Sequence, residues 1–185
     1  MKINIWTQCL LNSYNRLDGY VEQINKKVSL LALTEPNVAF GTTTEVIANK
    51  ILKLVDKKIT IIKTKVLIDK ILMQMNKKYA TMLKMKYVYK KTNREIAKYY
   101  EVSLRTVRRY VISALRYFAK NLVEIVKSVD ALSKVYKNET WMAYCYYDSM
   151  RKYLKSSDNR VYKKFVRECN LRELKDYEYL YEYVS

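Results

Sequence analysis

From Leu10 to Leu31 apolar residues recur at alternating intervals of four and three: Leu10, Tyr14, Leu17, Val21, Ile24, Val28 and Leu31. That period fits one buried stripe on an α-helix and does not fit a strand. It predicts a helix over residues 4–33, slightly weakened by Gly19. A second helix is predicted from about Thr44 to Met75. There Ala48, Leu52, Val55, Ile59, Ile62, Val66 and Met73 follow heptad spacing, with Asp69 interrupting. Ile47, Leu54, Ile61, Ile68 and Met75 form a parallel series, so the apolar face is wide, as on a helix packed between two neighbours. Residues 57–66 are β-branched enough for a strand, but the heptad continues on both sides and favours the helix. Pro36 and Gly41 bound a loop between the two patterns. An intramolecular hairpin is therefore expected, with a coiled-coil dimer as the other solution for such stripes.

Glycine and proline occur only as Gly19, Gly41 and Pro36. Sheet-rich folds need more turn residues, so the expected class is all-α. Three segments are expected: an N-terminal hairpin over 1–76, a helix-turn-helix over 77–120, and a C-terminal helical interaction segment over 121–185.

The middle segment carries the most specific signals. Residues 77–90 read as a leading helix with Ala80, Leu83, Met85 and Val88 inward. Thr92-Asn93-Arg94-Glu95 is a capping box, in which a threonine oxygen accepts the amide three residues on and the glutamate reaches back. The short helix it opens, 93–100, turns Ile96, Ala97 and Tyr100 inward. Glu101 and Val102 make a turn, Ser103 is an N-cap, and a last helix runs over 104–120. Val107, Val111, Ala114, Leu115 and Phe118 face its core. Two short helices in this order are the layout of a helix-turn-helix, whose second helix enters the DNA major groove.

The outer face of that second helix holds Leu104, Arg105, Thr106, Arg108, Arg109 and Ile112. Arginine can grip guanine O6 and N7 with two hydrogen bonds. Arg105, Arg108 and Arg109 are the candidate base readers, with Thr106 against a thymine methyl or a phosphate. Thr92, Asn93, Arg94, Lys98, Ser103 and Arg116 are the candidate phosphate contacts.

Charge supports a polyanionic partner. The chain has 36 Lys and Arg against 18 Asp and Glu, a net +18. Residues 41–90 carry +9 of this and 91–120 carry +6, whereas 1–40 carry +1 and 121–185 carry +2. An excess concentrated on one part of a chain suits a polyanion, with solvated helix faces in a lysine-rich composition as the other reading.

Enzymatic and metal chemistry find little to work with. There is no histidine, and Cys9, Cys145 and Cys169 show no paired spacing, which removes Cys/His zinc sites and histidine acid–base catalysis. Ser13 near Arg16 is the one hint of a nucleophile. There is no glycine-rich phosphate loop or acidic metal cluster. The expected chain is not an enzyme and takes no cofactor. No apolar run reaches the roughly 18 residues a bilayer span needs, and the N-terminus lacks a signal-peptide cleavage site. The expected location is the cytoplasm.

The run REIAKYYEVSLRTVRRYVISALRYF, residues 94–118, resembles the helix-turn-helix of sigma-70 region 4. The shared positions are Glu95, Ile96, Ala97, Val102, Ser103, Thr106, Val107, Ala114 and Leu115, and residues 83–87 are similar to the family's leading helix. The layout from Tyr14 to Lys120 is similar to small sigma-like regulators of phages and mobile elements in low-GC Gram-positive bacteria, of the RinA and ArpU type of phage late-gene regulator. The resemblance implies control of phage late, packaging or lysis genes and assigns Arg108 to the family's base-contacting arginine; contact with RNA polymerase is an expectation for the acidic, aromatic residues 177–183 and for the alternative sigma-like factor. Two positions depart from the pattern. Glu101 stands where the turn glycine is usual, so a non-glycine must turn left-handed or the turn must differ. Leu104 and Arg105 stand where housekeeping factors carry Arg then Glu, so a standard −35 element is not the expected target. Nothing resembles the promoter-melting region 2.

The stripe Val111, Leu115, Phe118, Leu122, Ile125, Val129, Leu132 and Tyr136 keeps heptad spacing beyond residue 120. Either the recognition helix continues to about Lys137 or a new helix starts after Asn121. A continued helix would offer a homodimer seam; otherwise the face covers C-terminal helices. A break at 138–140, helices at 141–155, 160–169 and 171–184, and a turn at 156–159 complete the expectation. Trp141, Cys145 and Met150 are candidate core there, and residues 177–183 are aromatic and acidic. The alternative functions are a DNA-binding packaging adaptor resembling small terminase subunits and a sigma-like factor.

Overall fold

The computed structural model describes residues 2–36, 41, 43–136, 139, 141, 142, 145 and 146. The fold is all-α, with no strand among the described residues. The elements are α1 (Lys2–Ser13), a 3₁₀ turn (Tyr14–Arg16), α2 (Leu17–Ala32), α3 (Thr44–Gln74), α4 (Lys77–Leu83), a π-helical turn (Lys84–Val88), α5 (Asn93–Tyr99), α6 (Leu104–Val126) and α7 (Val129–Tyr136).

The first predicted helix is divided. Three residues tighten into the 3₁₀ turn, and the helix faces on either side take different partners. Ile5, Trp6, Cys9, Leu10 and Leu11 of α1 are buried, and α1 packs on α6 and the π-helical turn. Leu17 and Ile24 of α2 are buried, and α2 lies along α3. The hairpin is therefore α2 against α3. Tyr14 OH donates to Asp69 Oδ1 at 2.6 Å, and Lys65 Nζ reaches Asp18 at 2.6 Å. Burial, and secondly the Asp69 bond, push the Tyr14 hydroxyl up to about 12. The Lys65–Asp18 pair is largely exposed and contributes little to stability.

The two heptad series of α3 part company. Ile47, Ile61, Ile68 and Met75 are buried, with Leu54 half-buried. Leu52, Val55, Ile59, Ile62, Val66 and Met73 are 37–83 % exposed. Among the described residues, the wide apolar face of the sequence reading therefore has a neighbour over one half only.

A larger core joins α1, α2, α3, α4, α6 and α7 through Leu10, Leu17, Ile61, Ile68, Ile71, Leu83, Phe118, Leu122 and Leu132. It draws on all three segments of the sequence reading. Each fully buried leucine or isoleucine contributes about 1.5–3 kcal/mol relative to exposure. At the α7 end, Trp6 meets Tyr136 and Tyr146 at ring-centroid distances of 5.6 and 4.6 Å. Thr64 Oγ1 and Tyr136 OH share a buried hydrogen bond of 2.8 Å.

The last long helix differs from both sequence alternatives. α6 runs to Val126 and stops at Lys127, which takes a left-handed conformation with φ 60°. α7 follows after Ser128. The stripe beyond residue 120 is buried at Leu122, Leu132 and Tyr136, and α1 covers it. It is thus an internal seam. Met142 is buried, with Trp141 and Cys145 half-buried. The helices expected after residue 146, the turn at 156–159, Met150, Cys169 and residues 177–183 lie outside the described residues.

Candidate nucleic-acid interface

The leading element is not one helix over 77–90. It begins as α4, capped by Asn76, whose Oδ1 accepts the Lys78 amide at 2.9 Å. It then widens into the π turn, where the Tyr89 amide reaches the Lys84 carbonyl at 2.8 Å. The two neighbours Met82 and Leu83 are both fully buried, each in a different core. The wider turn follows, and Val88, itself buried, has its carbonyl bonded by the Asn15 side chain. Lys90 closes the segment with φ 54°.

Met82, Ile96, Val107 and Val111 form a second, smaller core, with Met85, Ala97, Tyr100, Val102, Tyr110 and Leu115 around it. This is the core of the helix-turn-helix. Met82 was not among the inward residues read from sequence, because a single inward stripe through Leu83 does not anticipate that its neighbour enters a second core.

The caps form as read. Thr92 Oγ1 accepts the Glu95 amide at 3.2 Å, and Glu95 Oε2 accepts the Thr92 amide at 2.7 Å. The Thr92 hydroxyl adds a bond of 2.8 Å and Lys91 Nζ one of 3.1 Å. These bonds, the Thr92 amide first, hold the Glu95 carboxyl down to about 2. Ser103 Oγ accepts the Thr106 amide at 3.1 Å and shares a hydrogen bond of 2.9 Å with the Thr106 hydroxyl.

The turn keeps its geometry without glycine. The Val102 amide bonds the Ala97 carbonyl at 3.0 Å, and the Glu101 amide bonds the Lys98 carbonyl at 3.3 Å. This is the Schellman pattern that ends a helix with one left-handed residue. That residue is Glu101, with φ 51°. A left-handed non-glycine costs on the order of 1–2 kcal/mol, partly offset because glycine gains more freedom on unfolding. Glu101→Gly is expected to stabilise the chain by about 0.5–1 kcal/mol. The denaturant midpoint should rise at unchanged slope; an unchanged or lower midpoint would refute the strain at this turn.

A cation–π contact that the sequence reading missed braces the site. Lys78 Nζ lies 4.6 Å from the Tyr110 ring centroid and 5.9 Å from that of Tyr100. The lysine of α4 thus bridges the end of α5 and the middle of α6. The spacing of Tyr100 and Tyr110 was visible, but which lysine would reach them depends on the helix crossing.

Arg105, Arg108 and Arg109 are exposed on the opening turns of α6, at the i, i+3, i+4 spacing of one helix face. Leu104 and Ile112 flank them, also exposed. Arg109 sits 5.7 Å from the Tyr110 ring centroid. Arg94, Lys98 and Arg116 are exposed. The uncharged candidates differ. Thr92 directs its amide and hydroxyl to Glu95, Ser103 and Thr106 are hydrogen-bonded to each other, and Asn93 is half-buried. The structure leaves the candidate arginines and Lys98 exposed and sets the hydroxyls to work in the caps.

Among the described residues no group of His, Cys, Asp and Glu could hold a metal ion, and no helix is long and apolar enough to cross a membrane.

No curated protein and no solved structure matches this chain. Residues 65–116, from the last third of α3 into the middle of α6, match the family model described as Sigma-70, region 4, and in this part of the chain, less than a third of its length, the helix-turn-helix is similar to that family's.

Proposed function

We propose that the chain is a sequence-specific double-stranded DNA-binding transcriptional regulator that sets the start of α6 in the major groove. Its partners in this reading are duplex DNA, RNA polymerase and a second copy of the chain. The reading extends to a regulator of phage or mobile-element genes of the RinA and ArpU type, acting in the cytoplasm without enzymatic activity or cofactor. The observation that carries it is the coincidence of the matched stretch with an accessible cationic face on the recognition helix. Arg105, Arg108 and Arg109 read base edges, where each bidentate arginine is worth about 1–3 kcal/mol of discrimination. Arg94, Lys98 and Arg116 hold the backbone on either side.

The test begins with selection of a preferred duplex from a random library. Arg108→Ala should then lose roughly 1–3 kcal/mol on that duplex and relax the preference at one base pair. Lys98→Ala should weaken preferred and random duplexes alike. Equal losses on both duplexes for Arg108→Ala would remove its base-reading role, and failure to enrich any sequence would remove sequence specificity.

A further inference from the structure

The exposed series on α3 calls for an explanation. Ala48, Leu52, Val55, Ile59, Ile62, Val66 and Met73 alternate at four and three along about 38 Å of helix. All seven are exposed, and the hairpin partner α2 lies on the other series. A heptad stripe sustained over three to four heptads is the signature of a helix that pairs with another helix. We propose that this stripe is the seam of a homodimer, in which α3 of one copy packs antiparallel on α3 of a second, centred between Thr60 and Ile61.

The stripe is complementary to itself in that orientation. With the centre between Thr60 and Ile61, Ile59 faces Ile62 of the second copy and Val55 faces Val66, giving a continuous β-branched middle. Further out, the large Met73 meets the small Ala48. Leu52 lies over Asp69, the one polar interruption. The Asp69 carboxylate accepts the Tyr14 hydroxyl at 2.6 Å, so it is already hydrogen-bonded within its own subunit. The same stripe in parallel register would set Asp69 beside Asp69, Met73 on Met73 and Ala48 on Ala48, combining like charges, a bulge and a gap.

The flanking charges point the same way. In an antiparallel pair, positions just after the second core residue of each heptad face their equivalents. Asp56 then meets Lys63 of the second copy, twice by symmetry, and both residues are exposed. On the other flank Lys58 meets Lys65 of the second copy, but Lys65 is already paired with Asp18 of its own subunit at 2.6 Å. In a parallel pair Lys58 would approach Lys63, and Lys65 would approach Lys70. Like charges across a helix seam specify against that arrangement. The occupant that fits the stripe in size and charge is a second α3 running the opposite way.

The full chain should sediment with twice the 22.2 kDa mass of one copy at micromolar concentration. Ile59→Lys and Ile62→Glu should each halve that mass. Ile59 and Ile62 are 43 % and 44 % exposed, so an unchanged far-ultraviolet circular dichroism spectrum is expected for both variants. Combining Ile59→Lys with Ile62→Glu should restore the dimer, because antiparallel pairing sets each lysine against a glutamate of the second copy. A monomeric parent chain, as would follow if its own C-terminal residues covered the stripe, overturns the proposal. So does a dimer indifferent to the single substitutions, or a folded double variant that stays monomeric.

Discussion

Duplex affinity is expected to fall about fortyfold when monovalent salt is raised from 50 to 200 mM, with log affinity against log salt sloping at about −2.7. The slope follows from counting the cations proposed to hold the DNA backbone. Arg94, Lys98 and Arg116 are those three, all exposed on α5 and α6. Each cation that neutralises a phosphate releases condensed counterions and contributes about −0.9 to the slope. Lys91 is left out because its ammonium is bonded to Glu95 at 3.1 Å. Fluorescence anisotropy over a salt series on a fixed duplex measures it. A slope shallower than about −2 would mean that these residues do not lie on the phosphates, whatever the sequence preference.

The second large effect is on folding. Phe118→Ala is expected to cost about 3–5 kcal/mol, out of a total stability of about 5–15 kcal/mol for a typical domain. Phe118 is fully buried and belongs to the larger core, where α1 meets α6. Four residues earlier on the same helix face is Ala114, also fully buried; Val111 and Val107 belong to the smaller core of the helix-turn-helix. A cavity at Phe118 therefore loosens the helix that presents the arginines. Ile112→Ala, at a site 51 % exposed on the same helix, should stay within roughly 0.5 kcal/mol. Urea unfolding of the two variants makes the comparison. Near-equal midpoints would show that α1 and α6 do not share a core in solution.

Local chemistry in this chain was legible wherever it depends on near neighbours. The capping box at Thr92, the Ser103 cap, the extent of α3 and the inward set Ile96, Val107, Val111, Ala114 and Phe118 all follow from side chains within a few residues of one another. At Glu101 the resemblance left two outcomes open, a left-handed non-glycine or a different turn, and the structure takes the first. What escaped was set by partners far along the chain. The 3₁₀ turn at Tyr14–Arg16 depends on α1 and α2 having different neighbours. The π turn at Lys84–Val88 sits where Met82 and Leu83 enter separate cores. The end of α6 at Lys127 carries no glycine to announce it. For the site, the positions of the arginines were readable from helical period. The hydrogen bonds that occupy Thr92, Ser103 and Thr106 were half visible, because a good cap and a good phosphate contact use the same atoms.

Mechanically, α3 is a lever. Its 31 residues make a rod about 46 Å long. At one end only Met75 and Asn76 separate it from α4, and Met75 is buried while Asn76 caps the next helix. Such a joint has little slack, so the reading head follows the rod. Whatever grips α3 along its length therefore sets the direction in which the opening turns of α6 point, and a small tilt at the far end near Thr43 is carried through to Arg105, Arg108 and Arg109.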